Sequence, residues 1–396
     1  MITDLSYLKS YIIDEDDSRE SDDAISIEYV NSRLYLWIHI ANPCKYIEKD
    51  SLIDRLAQKK GASIYLLSGY VPMLPSEIIN KSSLSPHKTS ETLSARVYLD
   101  DEGLIQEYLI CRSKIKPCYK INYEDANLLI DLAPKEEPDL YLMHKRLINR
   151  RRQREINGAI IINQSQGKFV NSVERPVLKI IDQINSRNMI SEAMILMGSI
   201  IGQYSKENNI SVPYRGMYCN NKINNNYNGL YYKRNWLQKY HLRKAYVSTR
   251  PSNHSALGIK YYVQATSPLR RYLDLFVLRQ ILLNLDGKDT LNKSSCEEYI
   301  SLVSRRLEDN NQLFNEETRL CQYNWFKNNR NKNWKIIYIR EISSKDNLSL
   351  VRFEELEMDI ICVLECKYDL NFGDEYHVSF SDRDILSNSL CFNICN

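Results

Sequence analysis

The feature that most constrains this chain is a dense run of acidic residues between two apolar segments. Seven of the ten residues from Asp14 to Asp23 are Asp or Glu. The apolar segment 11–13 precedes the run, and the alternating stretch 24–30 after it predicts a β-strand. Like charges held between two ordered elements repel each other unless a cation neutralises them. Hard divalent ions such as Mg²⁺ favour oxygen ligands of this kind.

Three kinds of segment contain such a run. It can be a solvated surface loop without function, which is common for like charges. A calcium loop is suggested by the alternating Asp14, Asp16 and Ser18. That loop, however, needs Gly where this chain has Arg19 and a bidentate Glu where it has Ile25. The third interpretation is an aspartate set for two Mg²⁺ ions, a kind of site that serves phosphodiester hydrolysis.

Asp14, five further residues and then Glu20-Ser21-Asp22-Asp23-Ala24 resemble the acidic signature of the RNase II family of 3′→5′ exoribonucleases. The resemblance, which is to the RNB catalytic domain, implies that Asp14, Glu20, Asp22 and Asp23 hold Mg²⁺. It implies two ions, with Mn²⁺ able to substitute. The family pattern has Asp at the position of Glu20, so this chain differs there by one methylene group.

A second signature lies about 240 residues further on. The segments 254–258 and 266–270 resemble the family's His-x-x-Leu-Gly and Thr-Ser-Pro-aliphatic-Arg motifs. By this resemblance Arg270 grips the scissile phosphate and is catalytic together with Asp22, and Arg271 contacts RNA. A guanidinium suits this role because it can bind phosphate through two donors. Two signatures in the right order are more specific than either alone.

The resemblance assigns RNA contacts to three further residues. Tyr65 stands where the family places an aromatic that stacks on the 3′-terminal base, and stacking tolerates any base. A place in the core is the alternative for Tyr65. Tyr123 lies in the segment whose tyrosine contacts the substrate sugar. Glu316 matches the Glu of an Ala-Glu-Arg step, although Glu317 replaces the Arg.

The net charge of +3 is too small to indicate a partner, but the charge is unevenly distributed. The 66 residues from Asn208 to Leu273 contain eleven Lys or Arg and no Asp or Glu, with tyrosines interleaved. Because basic groups follow a nucleic-acid backbone and aromatic rings stack on bases, this stretch predicts a channel for single-stranded RNA. A basic surface loop would explain the charge alone. A second basic run, 144–154, either attracts phosphate or forms a solvated helix face.

Residues 33–41 predict a strand that follows the turn Asn31-Ser32. His39 within it is a candidate metal ligand, but a strand histidine packed among apolar residues is the better explanation because Mg²⁺ prefers oxygen. Asn42, just after the strand, stands where the family commonly has Asp.

Residues 186–206 predict an apolar helix and residues 297–327 a long one. The Asn-rich basic linker 328–333 indicates a domain boundary, which gives a catalytic domain at 1–330 and a second domain at 331–396. Short strands in the second domain predict a small, abbreviated OB-type β-barrel. Together with the resemblance, this implies an α+β fold: a mixed or antiparallel sheet with long packed helices, followed by the barrel.

The resemblance therefore implies a Mg²⁺-dependent hydrolytic 3′→5′ exoribonuclease that degrades single-stranded RNA to nucleoside 5′-monophosphates. Two alternatives stay open: an RNA-binding subunit of the same fold with weak or no catalysis, and a metal-dependent endonuclease. Only thirteen residues precede Asp14. We therefore expect a near-minimal member without N-terminal cold-shock domains, acting as a monomer.

Composition adds expectations about location. The ten cysteines show no Cys-x-x-Cys spacing, which argues against structural zinc and for a reducing compartment. No stretch approaches the ~18 apolar residues of a membrane span, so we expect no membrane partner. Abundant Asn, Ile, Lys and Tyr with few Gly and Pro favour an AT-rich genome such as a plastid's. The expected location is therefore a plastid, with the cytoplasm as the alternative.

Overall fold

The computed structural model describes residues 2–218, 243–345, 347–365, 370–381 and 390–395. The helices among them are α1 Leu52–Lys60, α2 Ser76–Ser82, α3 Tyr123–Leu132, α4 Asp139–Ile156, α5 Asn185–Glu207, α6 Tyr272–Leu285 and α7 Lys293–Asn328. The strands are β1 Thr3–Asp4, β2 Ser10–Ile13, β3 Asp23–Val30, β4 Arg33–Ala41, β5 Ile64–Tyr65, β6 Tyr70–Val71, β7 Ser90–Leu99, β8 Ile105–Ile115, β9 Tyr119–Ile121, β10 Gln166–Asn171, β11 Pro176–Ile181, β12 Tyr214–Gly216, β13 Tyr246–Ser248, β14 Asn333–Ser343, β15 Leu348–Phe353, β16 Met358–Glu365, β17 Glu375–Ser381 and β18 Leu390–Cys395.

The chain divides into two compact units. Unit 1 comprises Met1–Ser63, Pro72–Ile162 and Ile184–Leu307, and unit 2 comprises Ile64–Val71, Asn163–Gln183 and Glu308–Asn396. Each unit is thus assembled from three stretches of sequence. The sequence-based division into 1–330 and 331–396 stays a prediction.

Unit 1 is built on a seven-stranded sheet with the order β1-β8-β7-β4-β3-β2-β9. The pairs β1–β8 and β2–β9 at its two edges are parallel, and the remaining pairs are antiparallel. The central strand β4 is buried along almost its whole length. Leu36, Ile38 and Ile40 belong to one hydrophobic core, and Trp37 and Ala41 belong to another. Burial on both faces explains why this strand reads as a continuous apolar run.

Helices cover both faces of the sheet in unit 1. Residues of α3, α4 and α5 pack in the first core, and residues of α1 and α2 pack in the second. Helix α6 contributes to both, with Val277 in the first core and Leu275 in the second. Because α6 begins directly after the Thr-Ser-Pro-Leu-Arg segment, its burial fixes that segment against the sheet.

Unit 2 contains a closed five-stranded barrel with the order β14-β15-β16-β18-β17, which confirms the predicted α+β class with a small OB-type barrel. The parallel pair β16–β18 and the antiparallel pair β14–β17 complete the closure. The barrel core is aromatic and includes Phe326 from the end of α7. The ring of Phe326 lies 4.9 Å from that of Phe392 and 5.1 Å from that of Phe353.

Several local predictions can be compared directly with the structure. The strand expected at 33–41 is β4, the helix expected at 186–206 is α5, and the long helix expected at 297–327 is α7. The eight cysteines among the described residues are free thiols. In the same part of the chain, no helix is both long enough and apolar enough to cross a membrane.

Candidate active site

The acidic run forms the connection between β2 and β3, two antiparallel neighbours in the sheet of unit 1. Asp14 follows the last residue of β2, and its amide donates to the carbonyl of Ile121 at 3.2 Å. Its carboxylate accepts from the Glu15 amide at 2.9 Å and from the Ser18 hydroxyl. Asp23 is the first residue of β3. The two aspartates therefore stand at the two ends of one short connection anchored by the sheet.

Asp22 is the most deeply buried of the predicted metal ligands, with 2% of its surface exposed. Its Oδ1 accepts from the Leu269 amide at 2.8 Å. Its Oδ2 lies 3.3 Å from Nε of Arg270 but has no hydrogen-bond donor among the described residues. Burial raises the pKa of Asp22 to about 8, against the opposing charge of Arg270. The charge of Arg270 therefore does not fully offset the effect of burial on this carboxylate.

Asp23 and Glu20 complete the acidic set. Burial, reinforced by the charge of Asp14, raises the pKa of Asp23 to about 7. Glu20 is buried, and its Oε1 accepts from the hydroxyl of Ser63 at 3.2 Å. The charges of Glu20 and Asp23 both act to raise the pKa of Asp22, so the acidic side chains are close enough to repel one another.

The second signature is brought to the first by main-chain contacts within unit 1. The Ser63 amide donates to the Arg270 carbonyl at 2.9 Å, and Ala62 forms a β-bridge with Arg271. As a result the guanidinium of Arg270, with its side chain 45% exposed, stands beside the buried Asp22. Two residues that are far apart in sequence are thus in direct contact.

Arg271 contacts a different set of residues from Arg270. Its Nη2 lies 2.6 Å from Oδ2 of the buried Asp274 and donates to the Ser267 hydroxyl at 3.0 Å. The Ser267 amide donates to the same Asp274 oxygen at 2.9 Å. These bonds hold the turn that presents Arg270. An RNA contact by Arg271 stays a prediction.

Tyr123, at the start of α3, lies near the acidic set. Burial and then the charges of Asp23 and Asp14 raise its pKa. The guanidinium of Arg187 lies 4.3 Å from the centre of its ring, and Nη1 of Arg187 lies 2.6 Å from Oε1 of Glu15. Sequence reasoning missed Arg187, because a single arginine near the start of an apolar helix carries no recognisable signal.

Tyr65 and Glu316 belong to unit 2. Tyr65 lies in the small β5–β6 hairpin, 46% exposed, with its ring 5.1 Å from that of Tyr70. Glu316 is exposed on α7 and accepts from the side-chain amide of Gln312 at 2.9 Å. The RNA contacts assigned to both residues stay predictions.

Glu317, the neighbour of Glu316, makes the contacts that define the β5–β6 hairpin. Its carboxylate accepts from the amides of Leu67 at 2.6 Å and Ser68 at 2.9 Å. Partial burial alone would raise its pKa, but these hydrogen bonds outweigh burial and lower it. Glu317 therefore fixes the loop that connects the Tyr65 and Tyr70 strands.

The His-x-x-Leu-Gly segment is fixed by a buried ion pair in unit 1. Arg154 of α4 bonds Glu192 of α5 through Nε at 2.5 Å and Nη2 at 2.7 Å, and its Nη1 donates to the Leu257 carbonyl at 2.7 Å. Gly258 has φ of +63°, and a Cβ there would lie 2.6 Å from the Arg154 carbonyl oxygen. A side chain at this position would be both strained and blocked.

The predicted RNA channel, residues 208–273, is described on either side of a gap. Residues 219–242 lie outside the described residues. Before that gap, Arg215 bonds the side chain of Gln264 at 2.8 Å, and the rings of Tyr218 and Tyr246 stack 5.2 Å apart across it. The channel stays a prediction.

The carboxylates fit a divalent cation by their electrostatics. Asp22 Oδ2 is a buried oxygen that accepts no hydrogen bond in the described part of the chain, and burial raises the pKa values of Asp22 and Asp23 against the charge of Arg270. In the arrangement of the described residues, no three His, Cys, Asp or Glu side chains converge on a common point.

A family model of the RNB domain matches residues 2–287. The match covers well over half of the chain, and the protein belongs to the RNB domain family.

Two curated relatives are similar to this chain in sequence. An uncharacterised ribonuclease of Synechocystis is 29% identical over 391 residues, covering 96% of this chain and 58% of the relative. Ribonuclease II, chloroplastic/mitochondrial, of Arabidopsis thaliana is 33% identical over 306 residues, covering 74% of this chain and 38% of the relative. The chain thus spans less than two thirds of the length of either relative.

Solved structures share the fold. RNase R of Mycoplasma genitalium, in complex with ribose-methylated single-stranded RNA, has a TM-score of 0.86 at 18% identity, covering 100% of this chain and 72% of that one. An active-site mutant of the Dss1 exoribonuclease from Candida glabrata has a TM-score of 0.87 at 20% identity, covering 100% and 55%. Yeast Ssd1, described as a pseudonuclease, has a TM-score of 0.67 at 16% identity, covering 91% and 50%.

Proposed function

We propose that this protein is a metal-dependent hydrolytic 3′→5′ exoribonuclease that degrades single-stranded RNA to nucleoside 5′-monophosphates. The observation that carries the proposal is the contact between Asp22 and Arg270, 3.3 Å apart at the end of an acidic connection. Membership of the RNB domain family and relatives named ribonuclease support the same reading.

The acidic residues have a chemical role in this proposal. Asp14, Glu20, Asp22 and Asp23 would hold Mg²⁺, or Mn²⁺ in its place. Bound there, the metal would supply an activated water and stabilise the leaving 3′ oxygen. The Leu269 amide fixes Oδ1 of Asp22 and so orients this carboxylate, leaving Oδ2 directed toward the reaction site.

Arg270 would contact the scissile phosphate. Nε of its guanidinium lies 3.3 Å from Oδ2 of Asp22, and its side chain is 45% exposed, so the guanidinium reaches the surface beside the acidic residues. A positive group fixed in this way stabilises the charge that develops on the phosphate in the transition state. Arg271 would hold the turn that presents Arg270, and it would also contact RNA.

The remaining assigned residues would bind the RNA chain. Tyr123, close to Asp14 and Asp23, would contact the terminal sugar, and Tyr65 would stack on the terminal base. Glu316 would contact RNA from α7. Because the Arabidopsis relative is named chloroplastic/mitochondrial, we also propose a plastid as the site of action. We propose separately that the protein acts as a monomer.

The test is degradation of a 5′-labelled, unstructured RNA with Mg²⁺. We expect a ladder that shortens from the 3′ end, lost with EDTA and reduced at least ~100-fold in Asp22→Asn. Arg270→Lys keeps the charge but not the planar pair of donors, so it should also be slow. Internal fragments of defined size would instead indicate an endonuclease.

The alternative function is an RNA-binding subunit with weak or no catalysis. Glu20 in place of the family's Asp, together with the likeness of the fold to a pseudonuclease, favours testing it. RNA that is bound but left intact with Mg²⁺ and with Mn²⁺ would support this alternative. Glu20→Asp would then show whether the longer side chain prevents catalysis.

A further inference from the structure

A polar pocket in unit 1 lies between the end of β4, the C-terminus of α2, the start of β7 and the end of β8. Its volume is about 200 Å³, well beyond the roughly 10–15 Å³ that one water needs. None of the predicted metal ligands and none of the predicted RNA contacts lines it. The pocket is therefore separate from the candidate active site.

The charged lining of this pocket is mainly positive. It contains Lys45, Lys81, Lys88 and Lys114 against a single acid, Glu91. The charge of Glu91 is already compensated, because one oxygen lies 2.8 Å from Lys45 Nζ and the other 3.1 Å from Nη2 of Arg112.

The four lysines differ in their other contacts. Lys81 pairs with Glu77 one helical turn earlier, and the Lys88 ammonium donates to the carbonyls of Asn80 at 2.7 Å and Lys81 at 2.9 Å at the end of α2. Lys114 is exposed at the end of β8. The balance of charges facing the pocket is positive, which favours an anion.

Three buried polar side chains lining the pocket are unsatisfied. Asn42, Ser82 and Ser90 are 3%, 4% and 6% exposed. Both amide atoms of Asn42 and both serine hydroxyls find no hydrogen-bond partner within the described residues. Buried polar groups are normally paired, so such a cluster indicates that a ligand or ordered water supplies the missing partners.

We infer that this pocket is a binding site for a phosphate group, either free or carried by a nucleoside monophosphate. The four lysines would balance the charge of the phosphate, and Asn42, Ser82 and Ser90 place polar side chains in the wall of the pocket. Ser82 is followed in sequence by Ser83, whose hydroxyl accepts from the Ser21 amide of the acidic connection at 2.9 Å.

The test is thermal unfolding and titration calorimetry of the full chain in EDTA, which prevents phosphate from binding through a metal. Inorganic phosphate and adenosine 5′-monophosphate are added at constant ionic strength, with adenosine as the phosphate-free control. At ten times the dissociation constant, each phosphate compound should raise Tm by about 2 °C or more, and adenosine should not.

Variants separate a specific site from general charge effects. Lys114→Ala, an exposed change that should fold normally, is expected to weaken phosphate binding about threefold to tenfold. Asn42→Asp places a carboxylate in the pocket and should weaken it more. Lys168→Ala, an exposed lysine in unit 2, is the matched control and should bind like wild type.

Absence of a concentration-dependent shift with both phosphate compounds would overturn the inference, as would equal binding in wild type, Lys114→Ala and Asn42→Asp. Tighter binding of the nucleotide than of inorganic phosphate would identify a mononucleotide as the ligand, and equal affinity would identify free phosphate. The measurement needs no nuclease activity, so its outcome is independent of the proposed reaction.

Discussion

The ion pair between Arg154 and Glu192 gives the sharpest prediction about stability. Both side chains are 3% exposed, and two bonds of 2.5 and 2.7 Å join them. The charge of Glu192 also acts on Arg150 and Arg151, so the buried carboxylate interacts with three arginines. We therefore predict that Glu192→Gln strongly destabilises unit 1.

The magnitude follows from what remains after the substitution. Glutamine keeps one acceptor but presents an NH₂ group to a guanidinium that can only donate, so a bond is replaced by a repulsive contact. Removing one partner of a buried pair costs about 3–5 kcal/mol in the free energy of unfolding. For a unit of this size that corresponds to a fall in Tm of at least ~6 °C.

The assay is equilibrium urea unfolding at neutral pH, followed by circular dichroism. Glu155→Gln is the matched control, because Glu155 is 48% exposed and lies 3.8 Å from Arg151 in a pair on α4. Because Glu155 is exposed and the pair is long, this interaction should contribute less than about 1 kcal/mol. Arg154→Met/Glu192→Met, which removes both charges, should recover much of the lost stability.

A result within about 1 kcal/mol of wild type for Glu192→Gln would refute this reasoning, since the carboxylate would then not be compensating buried charge. A double variant as unstable as the single one would show that packing, and not the unpaired arginine, sets the cost.

Three further predictions concern other parts of the molecule. Burial lowers the pKa of His39 to about 3, so below pH 6.5 the unfolded chain takes up a proton that the folded chain does not. Between pH 7.5 and 5, the free energy of unfolding of the wild type should thus fall by about 2 kcal/mol more than that of His39→Asn. An equal fall in both proteins, measured by urea unfolding at each pH, would contradict this. Tyr65→Ala should weaken single-stranded RNA binding in EDTA by about 1–3 kcal/mol while Tyr65→Phe should not, and equal affinities of all three proteins would exclude stacking. Glu317→Gln should speed amide exchange at Leu67 and Ser68 by about tenfold, with Glu316→Gln as the control; unchanged exchange would mean that the carboxylate does not hold the hairpin.

The elements that the sequence predicted best are those with a strong local pattern. β4 could be predicted because its residues are apolar on both faces, and α5 and α7 because their apolar residues repeat with helical spacing. The assignment of Asp22 and Arg270 to one site depended on the resemblance, because no local rule relates residues so far apart, and their direct contact was not predicted.

Contacts determined by tertiary packing could not be predicted. The basic run 144–154 forms part of α4, but Arg151 and Arg154 are buried and Arg154 pairs with Glu192. These two arginines therefore belong neither to a solvated helix face nor to a phosphate-binding surface. An arginine looks the same in sequence whether its partner is water, phosphate or a buried carboxylate. Glu317 is a similar case, since its partners are backbone amides about 250 positions earlier.

The division of the chain into interleaved units limits how this protein can be taken apart. The backbone passes between the units five times, and the barrel of unit 2 depends on Phe326 and on Leu178, which lie before residue 331. A fragment cloned from 331 onward would lose an aromatic side chain from its core. The barrel therefore cannot be exchanged or deleted as a cassette, and recombination between relatives would preserve both units only if all three segments of each were inherited together.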